Sequence, residues 1–592
     1  MTVAEYIFDF LQNKGVQTVY MVSGSSAMWL TDALCRNEQM KAICCHHEQA
    51  AAMAADGHGR IHNIPGVCLV TIGPGATNAI TGVAQAYLDS SPMFVISGQA
   101  SSKLLEYKRN AEVRQYGTQS LDLEPIVSSI TKYFTTVMKP EDIQYHMEKA
   151  YYEAMNGRKG PVWIDVPVDI QNSQIPIQCR MFETPQDKTA DISDDIIEQV
   201  ANEIQQAKCP LILAGYGVRS GQCLQEFEKL IKHTNIPVVL SRGGIDVLAS
   251  DSPNYVGRPG CYGDRPSHFA IQKSDLLLIL GSRLSVSTRG YYPKKFAENA
   301  KKIMVDIDER ELQKDDVPID IRIHADLKCF LQKLESAVRN KKLQTSPNWL
   351  KYCVDKKKKY PTVLQGYEKE TPLNAYYFTK CLSEYVTDKV NVIVDTGSVC
   401  NIVSQSWKLK KGQRYLISGG LSCMGFWATS IGACQPERNI IALTGDGSAQ
   451  MNIQELATLK YNKIPIKLFI YDNNGYMLIR HNQHNYMHDR FLGVGPDSGL
   501  QTPNFCNVAA AYGIKNFLIE KKEDMIEVFS KVLNYDGPVV CQVTLQEFEP
   551  IEPRIASKVM PDGSLKAADF DDLYPFLEGE KDDFKSEDEN FI

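Results

Sequence analysis

Short apolar runs of strand character recur along the chain, each followed by a glycine-rich turn or an amphipathic stretch, and they fall into three blocks. The first holds "QTVYMVS", "MKAICC", "GVCLVTIG", "PMFVISG" and "GPVWIDVPVD". The second holds "CPLILAGYG", "IPVVLSRGG", "SDLLLILGS" and "KKIMVDID", and the third "VNVIVDTGS", "RYLISGG", "NIIALTGDGS", "IPIKLFIYDNN" and "GPVVCQVTL". Strands apolar on both faces and alternating with helices belong to parallel sheets covered on both sides. The pattern predicts an α/β chain of three consecutive domains, each a mainly parallel sheet flanked by helices, over residues 1–175, 190–340 and 370–550, with a tail at 551–592. A polar, proline-bearing linker, "PIQCRMFETPQDKTADISDD", separates the first two. A lysine-rich helical connector through 356–359, read as a solvated helix face, precedes the third. At 592 residues the chain exceeds what one core can hold, and it has no short internal repeat, so a solenoid is excluded.

Several function classes fall away on composition. A net charge of -7 offers no basic field for nucleic acid. No apolar run reaches the roughly 18 residues that a membrane span requires. The opening "MTVAEYIFDFLQNKG" reads as an amphipathic helix without a basic leader or cleavage site, so a cytoplasmic location is expected. Sixteen scattered cysteines fit reduced, mostly buried thiols. Cys44, Cys45, His46 and His47 are adjacent in a strand-like run, where side chains alternate faces and cannot converge on one ion.

The richest chemistry lies in "LTGDGSAQMNIQELATLKYNKIPIKLFIYDNNGY". One strand ends in Gly445-Asp446-Gly447 and runs into a helix at Ser448; the next ends in Asp472-Asn473-Asn474-Gly475, followed by Tyr476 and Met477. Ligands bind at such strand ends in parallel sheets. The glycines allow a phosphate close to the backbone, and the helix offers unpaired N–H groups. Asp446, Asn473 and the carbonyl of Gly475 form a hard oxygen set for an octahedral Mg²⁺ shared with a diphosphate. Either turn alone would be an ordinary strand-to-helix connection; the pair, each half at a strand end, reads as a metal-diphosphate site.

At these residues the sequence resembles the thiamine-diphosphate-dependent enzymes, whose shared motif runs from a GDG turn to an NN turn. The resemblance covers essentially the whole chain. "HHEQAAAMAADGHGR" is similar to the family's cofactor-activating segment, "GPGATNAITGVAQAYLDSSPMFVISGQ" to the strand, loop and helix that follow it, and "SGGLSCMGFWATSIGA" to the loop before the GDG turn. Within the family the chain most resembles acetolactate synthase. It also resembles relatives of cell-surface polysaccharide synthesis at "MVSGSSAMWLTDAL", "ITKYF" and "DDLYPFL".

The resemblance implies pyrimidine-binding, central and diphosphate-binding domains in that order. It makes Glu48 the activator: a carboxyl in apolar surroundings can share a proton with the pyrimidine ring nitrogen, and the resulting tautomer draws the proton from the thiazolium carbon. Gly24, Ser25, Thr71, Gly75 and Asn78 would join it in holding the cofactor, with Met424 as the bulky apolar residue under the bent cofactor. Gln119 would hydrogen-bond the reacting oxygen, and His47 would brace the site. FAD in the central domain is one of two outcomes. Its contacts would be Gly257, Arg258, Gly281, Ser282, Arg283, Asp306 and Asp308, each of which is also an ordinary turn residue after a strand. In this family the activator and the diphosphate site lie on different subunits, which implies a homodimer or homotetramer.

The implied reaction decarboxylates a 2-keto acid, pyruvate in the synthases, and transfers the acyl carbanion to a ketone acceptor. Ser25-Ser26 stands where the synthases carry Gly-Gly, so the acceptor could equally be a keto-sugar nucleotide. A plain decarboxylase or oxidase is the remaining alternative. The segment "PRIASKVMPDGSL" is similar to the family's closing segment and would act as a lid.

Overall fold

The computed structural model describes residues 1–186, 189, 191–559 and 565–577. Its architecture is three six-stranded parallel sheets with helices on their faces. The first sheet comprises β1 (Thr18–Met21), β2 (Lys41–Cys44), β3 (Gly66–Val70), β4 (Met93–Gln99), β5 (Tyr133–Thr136) and β6 (Pro161–Pro167), in the order β2-β1-β3-β4-β6-β5. The central sheet comprises β7 (Pro210–Ala214), β8 (Val238–Leu240), β9 (Tyr255–Gly257), β10 (Leu276–Leu280), β11 (Lys301–Asp306) and β12 (Ile321–His324), in the order β12-β11-β10-β7-β8-β9. The third comprises β13 (Val390–Val394), β14 (Arg414–Ile417), β15 (Asn439–Gly445), β16 (Ile466–Asp472), β17 (Lys515–Ile519) and β18 (Val539–Thr544), in the order β14-β13-β15-β16-β18-β17.

The first and third sheets thus share one topology, in which the chain reverses its direction of growth between β1 and β3 and between β13 and β15. The central sheet follows the doubly wound dinucleotide-fold order, with its reversal between β7 and β10. A reversal opens a crevice at the carboxyl ends of the two strands. Within these three sheets the sequence reading misses β5, β9, β12 and β17; beside them, Ser557–Val559 and Leu565–Ala567 pair as a small antiparallel ribbon in the tail. All four missed sheet strands lie at a sheet edge. β5 is half-buried along its length, β12 and β17 mix exposed and covered positions, and β9 has only three residues, so none shows the continuous apolar run of an interior strand.

The first and third sheets belong to one compact unit (Met1–Gln186, Lys389–Cys400, Arg414–Phe548). The central sheet belongs to a second, made of the described residues of Asp187–Asp388, Asn401–Gln413 and Glu549–Ile592. Within the first unit a single hydrophobic cluster crosses both sheets. The helix Glu48–His62 lies in the middle of it, with residues 50–61 all buried. That explains its small residues. A methyl group on Gly57 would stand 2.1 Å from the carbonyl oxygen of Thr429, and one on Gly432 1.7 Å from that of Ala54, so only glycine permits the approach. Arg60, buried in the same helix, donates twice to Asp56 at 2.8 Å, to Asp89 at 2.9 Å and to the carbonyl of Ile417 at 2.8 Å. A buried guanidinium is tolerated because its donors are met.

In the second unit the tail packs on the central domain. Ile555 N–H donates to Cys261 O at 2.8 Å, Phe570 stacks on the His268 ring at 4.1 Å, and Arg265 donates to the carbonyls of Leu573 and Pro575. Of the segment 553–565 expected to act as a lid, residues 560–564 lie outside the described residues. The lysine run departs from a solvated face. Lys356 sits over the rings of Phe269 and Tyr352 at 5.1 and 5.3 Å, and Lys357 donates to the carbonyls of Ser250 and Tyr255. Burial lowers the pKa of Lys357 to about 8. No helix among the described residues is long and apolar enough to cross a membrane.

Candidate active site

At the reversal of the first sheet, β1 leads to Gly24, β3 to Thr71 and the turn into the helix Pro74–Leu88, and β2 to His47 and Glu48. Asn78 Nδ2 donates to Glu48 Oε2 at 3.0 Å. A methyl on Gly75 would lie 2.8 Å from Thr71 Cγ2 and 3.5 Å from Glu48 Oε1, and one on Gly24 2.4 Å from the Thr71 side chain. Gly24, Glu48, Thr71, Gly75 and Asn78 therefore form one cluster. Ser25 stands exposed at the start of the 3₁₀ turn beside it. Thr71 Oγ1 is buried and has no hydrogen-bond partner. Gln119 is exposed, with φ +61°, and borders the cluster through its backbone, its carbonyl oxygen 2.8 Å from a methyl on Gly73.

Glu48 is half-buried in the single chain, less enclosed than the apolar surroundings expected of it. The cause is its place in the first residue of a helix that starts at the open carboxyl edge of the sheet. Two neighbours set its position. The His47 ring caps the helix, Nδ1 accepting from Gln49 N–H at 3.1 Å, which requires Nδ1 to be unprotonated. Glu455, fully buried on the third domain, accepts from His46 N–H at 3.0 and 3.3 Å and from Thr458 Oγ1 at 2.6 Å. Burial raises its pKa. Sequence reasoning missed Glu455, since "QELATLK" looks like any amphipathic helix.

The third sheet carries the second cluster. Asp446 is buried; Oδ1 accepts from Gly447 N–H at 2.6 Å and Oδ2 from Gly475 N–H at 2.7 Å. Burial pushes its pKa up to about 7, with the two N–H donors opposing and the charge of Asp472 adding to the rise. Asn473 is 5% exposed, its Nδ2 faces Met477 Sδ at 3.8 Å, and its Oδ1 is buried without a partner. Asn474 and Gly475 turn the chain with φ of +60° and +128°, and Gly475 O accepts from Met477 N–H at 3.2 Å, which leaves it one lone pair. Tyr476 covers Gly447: a methyl there would meet its ring at 1.9 Å. The helix that Gly445 opens is one turn, Asp446–Ala449, tightening to 3₁₀ at Gln450–Asn452.

Met424, half-buried, is held to this turn through its neighbour. Gly425 N–H donates to Ser448 Oγ at 2.9 Å, and Asn452 Nδ2 donates to Gly425 O at 2.8 Å. The start of the same loop is fastened by Asp89, which accepts from the N–H groups of Gly419 and Gly420 at 2.9 and 2.7 Å while paired with Arg60.

The carboxylate of Asp446, the orphaned oxygen of Asn473 and the spare lone pair of Gly475 match the hard oxygen set that Mg²⁺ takes, and a cation there would relieve both the buried carboxyl and the unpaired amide oxygen. The first cluster supplies what an aminopyrimidine needs: a carboxylate, Glu48, and a buried hydroxyl, Thr71, with nothing yet bonded to it.

The expected FAD contacts fare differently. Arg258 alone of the seven lines the cavity it shares with Arg242, Gly260, Ser287 and Gln405. A methyl on Gly257 would lie 2.1 Å from the Asp264 carboxylate, and Gly281, with φ +56°, packs on the backbone of Gly217 at 2.6 Å from its methyl position. Ser282 is buried, and the carbonyl of Arg283 accepts from Lys314 Nζ. Asp306 accepts from Asp308 N–H at 3.0 Å, and Asp308 caps the helix Glu309–Leu312.

Comparison with known proteins agrees with the two clusters. Three family profiles match the chain: thiamine pyrophosphate enzyme, N-terminal TPP binding domain over residues 1–126, central domain over 197–334, and C-terminal TPP binding domain over 395–543. The chain is 30% identical over 557 residues to the acetolactate synthase isozyme 1 large subunit of Escherichia coli K12, covering 94% of this chain and 96% of that protein. It is 31% identical over 593 residues to a probable acetolactate synthase large subunit of Methanocaldococcus jannaschii, covering 96% and 98%. It is 30% identical over 578 residues to the chloroplastic acetolactate synthase of Arabidopsis thaliana, covering 94% and 83%. The protein belongs to the thiamine-pyrophosphate-dependent enzymes and is of the acetolactate synthase type.

Proposed function

We propose that the protein is a Mg²⁺- and thiamine-diphosphate-dependent carboligase that decarboxylates pyruvate and transfers the two-carbon unit to a second ketone, as the names of its relatives suggest. The observation that carries this reading is the unpartnered, buried Oδ1 of Asn473 in the same turn whose Gly475 N–H donates to the Asp446 carboxylate. When bound, the cofactor would supply the nucleophilic carbon and the electron sink that decarboxylation of a keto acid and transfer of its remaining carbons require.

The chain's own residues do the rest. Asp446, Asn473 and the Gly475 carbonyl hold the metal, and Gly445, Gly447, Ser448, Tyr476 and Met477 shape the turn that receives the diphosphate. Glu48 holds a proton at the pyrimidine ring nitrogen, positioned by Asn78 and by the His47 cap. Met424, fixed through Gly425, supports the bend of the cofactor. The Gln119 amide bonds the reacting oxygen.

The assembly is a homodimer or a pair of dimers, with Glu48 of one subunit facing the metal of the other. Ile479, Tyr486, Met487 and Leu492 stand exposed along and just after the helix that follows the metal loop, an apolar surface of the kind that marks an interface.

The test is product analysis by NMR with Mg²⁺, thiamine diphosphate and labelled pyruvate, alone and with a 4-keto sugar nucleotide. Acetolactate in the first tube is the expected result. Turnover only in the second would move the acceptor to a sugar, acetaldehyde alone would make the enzyme a decarboxylase, and silence in both would reject pyruvate as donor.

A further inference from the structure

We propose that Arg480 is the positioning residue of the metal loop, holding Asn473 and Gly475 in ligating geometry from behind; the proposal rests on the metal-diphosphate reading above. Arg480 lies in the first turn of the helix Met477–Met487, directly after the loop. Its guanidinium gathers carbonyls from three separate segments. Nη2 donates to Asn474 O at 2.8 Å and to Val494 O at 3.0 Å, while Nη1 donates to Glu547 O and lies 3.4 Å from Asn473 O. Both carbonyls of the Asn-Asn pair thus point at one cation, while Asn473 Oδ1 stands unpaired.

The rest of the loop leans on the same frame. Tyr476 N–H donates to Val494 O at 3.0 Å, and Asn474 Nδ2 donates to Glu547 Oε1 at 2.8 Å. Asn474 and Gly475 turn the chain with positive φ, a state these two residue types adopt readily, and the Arg480 contacts fix the direction in which the turn faces. Release of the loop would carry away the Gly475 N–H that donates to Asp446 Oδ2, and with it the orientation of the carboxylate. Arginine suits the task, since a planar fork with five donors meets several carbonyls in fixed directions, whereas an ammonium is a single point on a flexible stem.

Arg480→Met and Arg480→Lys test this in the full chain. Mg²⁺ would be titrated calorimetrically in the presence of thiamine diphosphate, beside far-UV circular dichroism and thermal melts of the metal-free proteins. Loss of a residue that orients metal ligands costs about 10- to 100-fold in metal affinity, and Arg480→Met is expected in that range with a lowered metal-free melt but unchanged circular dichroism. Arg480→Lys is expected to lose less, and saturating Mg²⁺ should return most of kcat, since the ligands themselves remain. Mg²⁺ affinity of Arg480→Met within twofold of wild type would overturn the proposal while leaving the site assignment standing. If Arg480→Met does not fold, Arg480→Lys decides by the same titration: a weakened affinity supports the role and an unchanged one overturns it. A wild-type protein that takes up neither Mg²⁺ nor thiamine diphosphate would overturn the site assignment and this proposal together.

Discussion

The third and the central sheets both end inner strands in glycine-bearing turns with nearby carboxylates, yet they leave those turns in opposite states. After β15 and β16, Asp446 accepts an N–H from each of the two turns, and the amide oxygen of Asn473 remains without a donor. After β7 and β10 the crevice is filled by backbone, Gly217 N–H donating to Gly281 O at 3.0 Å, and beyond β11 the carboxylates of Asp306 and Asp308 accept from the chain itself. The carboxylates accept from the chain in both places; what sets the third sheet apart is the buried Asn473 oxygen that no donor meets. Glycine and aspartate alone do not tell the two apart.

Substitutions at four positions probe that contrast. Asp446→Ala is expected to abolish uptake of Mg²⁺ and thiamine diphosphate together in gel-filtered protein, and a normal holoenzyme would place the binding turn elsewhere. Glu48→Gln should still form holoenzyme while turnover falls about 10²- to 10⁴-fold, the usual contribution of a positioned proton-transfer group. Exchange of the cofactor's reactive C–H with solvent deuterium, followed by NMR, reads that step directly; an unchanged rate would remove Glu48 from activation.

A smaller effect is expected at the cap. His47→Ala removes the acceptor for Gln49 N–H and should cost about 1 kcal/mol, visible in thermal unfolding. His47→Asn, a strong capping residue, should recover that loss and most of the activity; recovery of stability without activity would instead give the imidazole a chemical part. The smallest effect belongs to the central sheet, where Asp306→Asn should leave binding of Mg²⁺ and thiamine diphosphate unaltered. Weakened binding there would erase the distinction between capping and binding turns.

How far the chain could be read before folding follows the same division. Interior strands are legible because both faces are buried and the apolar run is unbroken; β5, β12 and β17 vanish into polar sequence because an edge strand is only partly covered. Asp446 and Asn473 are legible because the turn chemistry is local. Glu455 is not, since its partner His46 lies 409 residues away, and neither is Asp89, which reaches across to Gly419 and Gly420 more than 300 residues on. The lysine run is legible only in part: Lys358 and Lys359 are exposed, whereas Lys357 looks like solvent-facing charge until the carbonyls of Ser250 and Tyr255, over 100 residues earlier, are brought to it.

What the amino-acid order determined by itself is the succession of three parallel sheets and the two turns, GDG and NN, in which hard oxygen ligands stand at strand ends. Periodicity and turn preference act over a few residues, so they survive in the unfolded string. Only the tertiary structure decided that the Asn473 oxygen is left without a donor, that Glu48 is steered by His47 and Asn78, and that Arg480 gathers the carbonyls of Asn474, Val494 and Glu547. Those outcomes depend on donors and acceptors supplied from distant parts of the chain, and only packing determines which of them arrive within hydrogen-bonding reach.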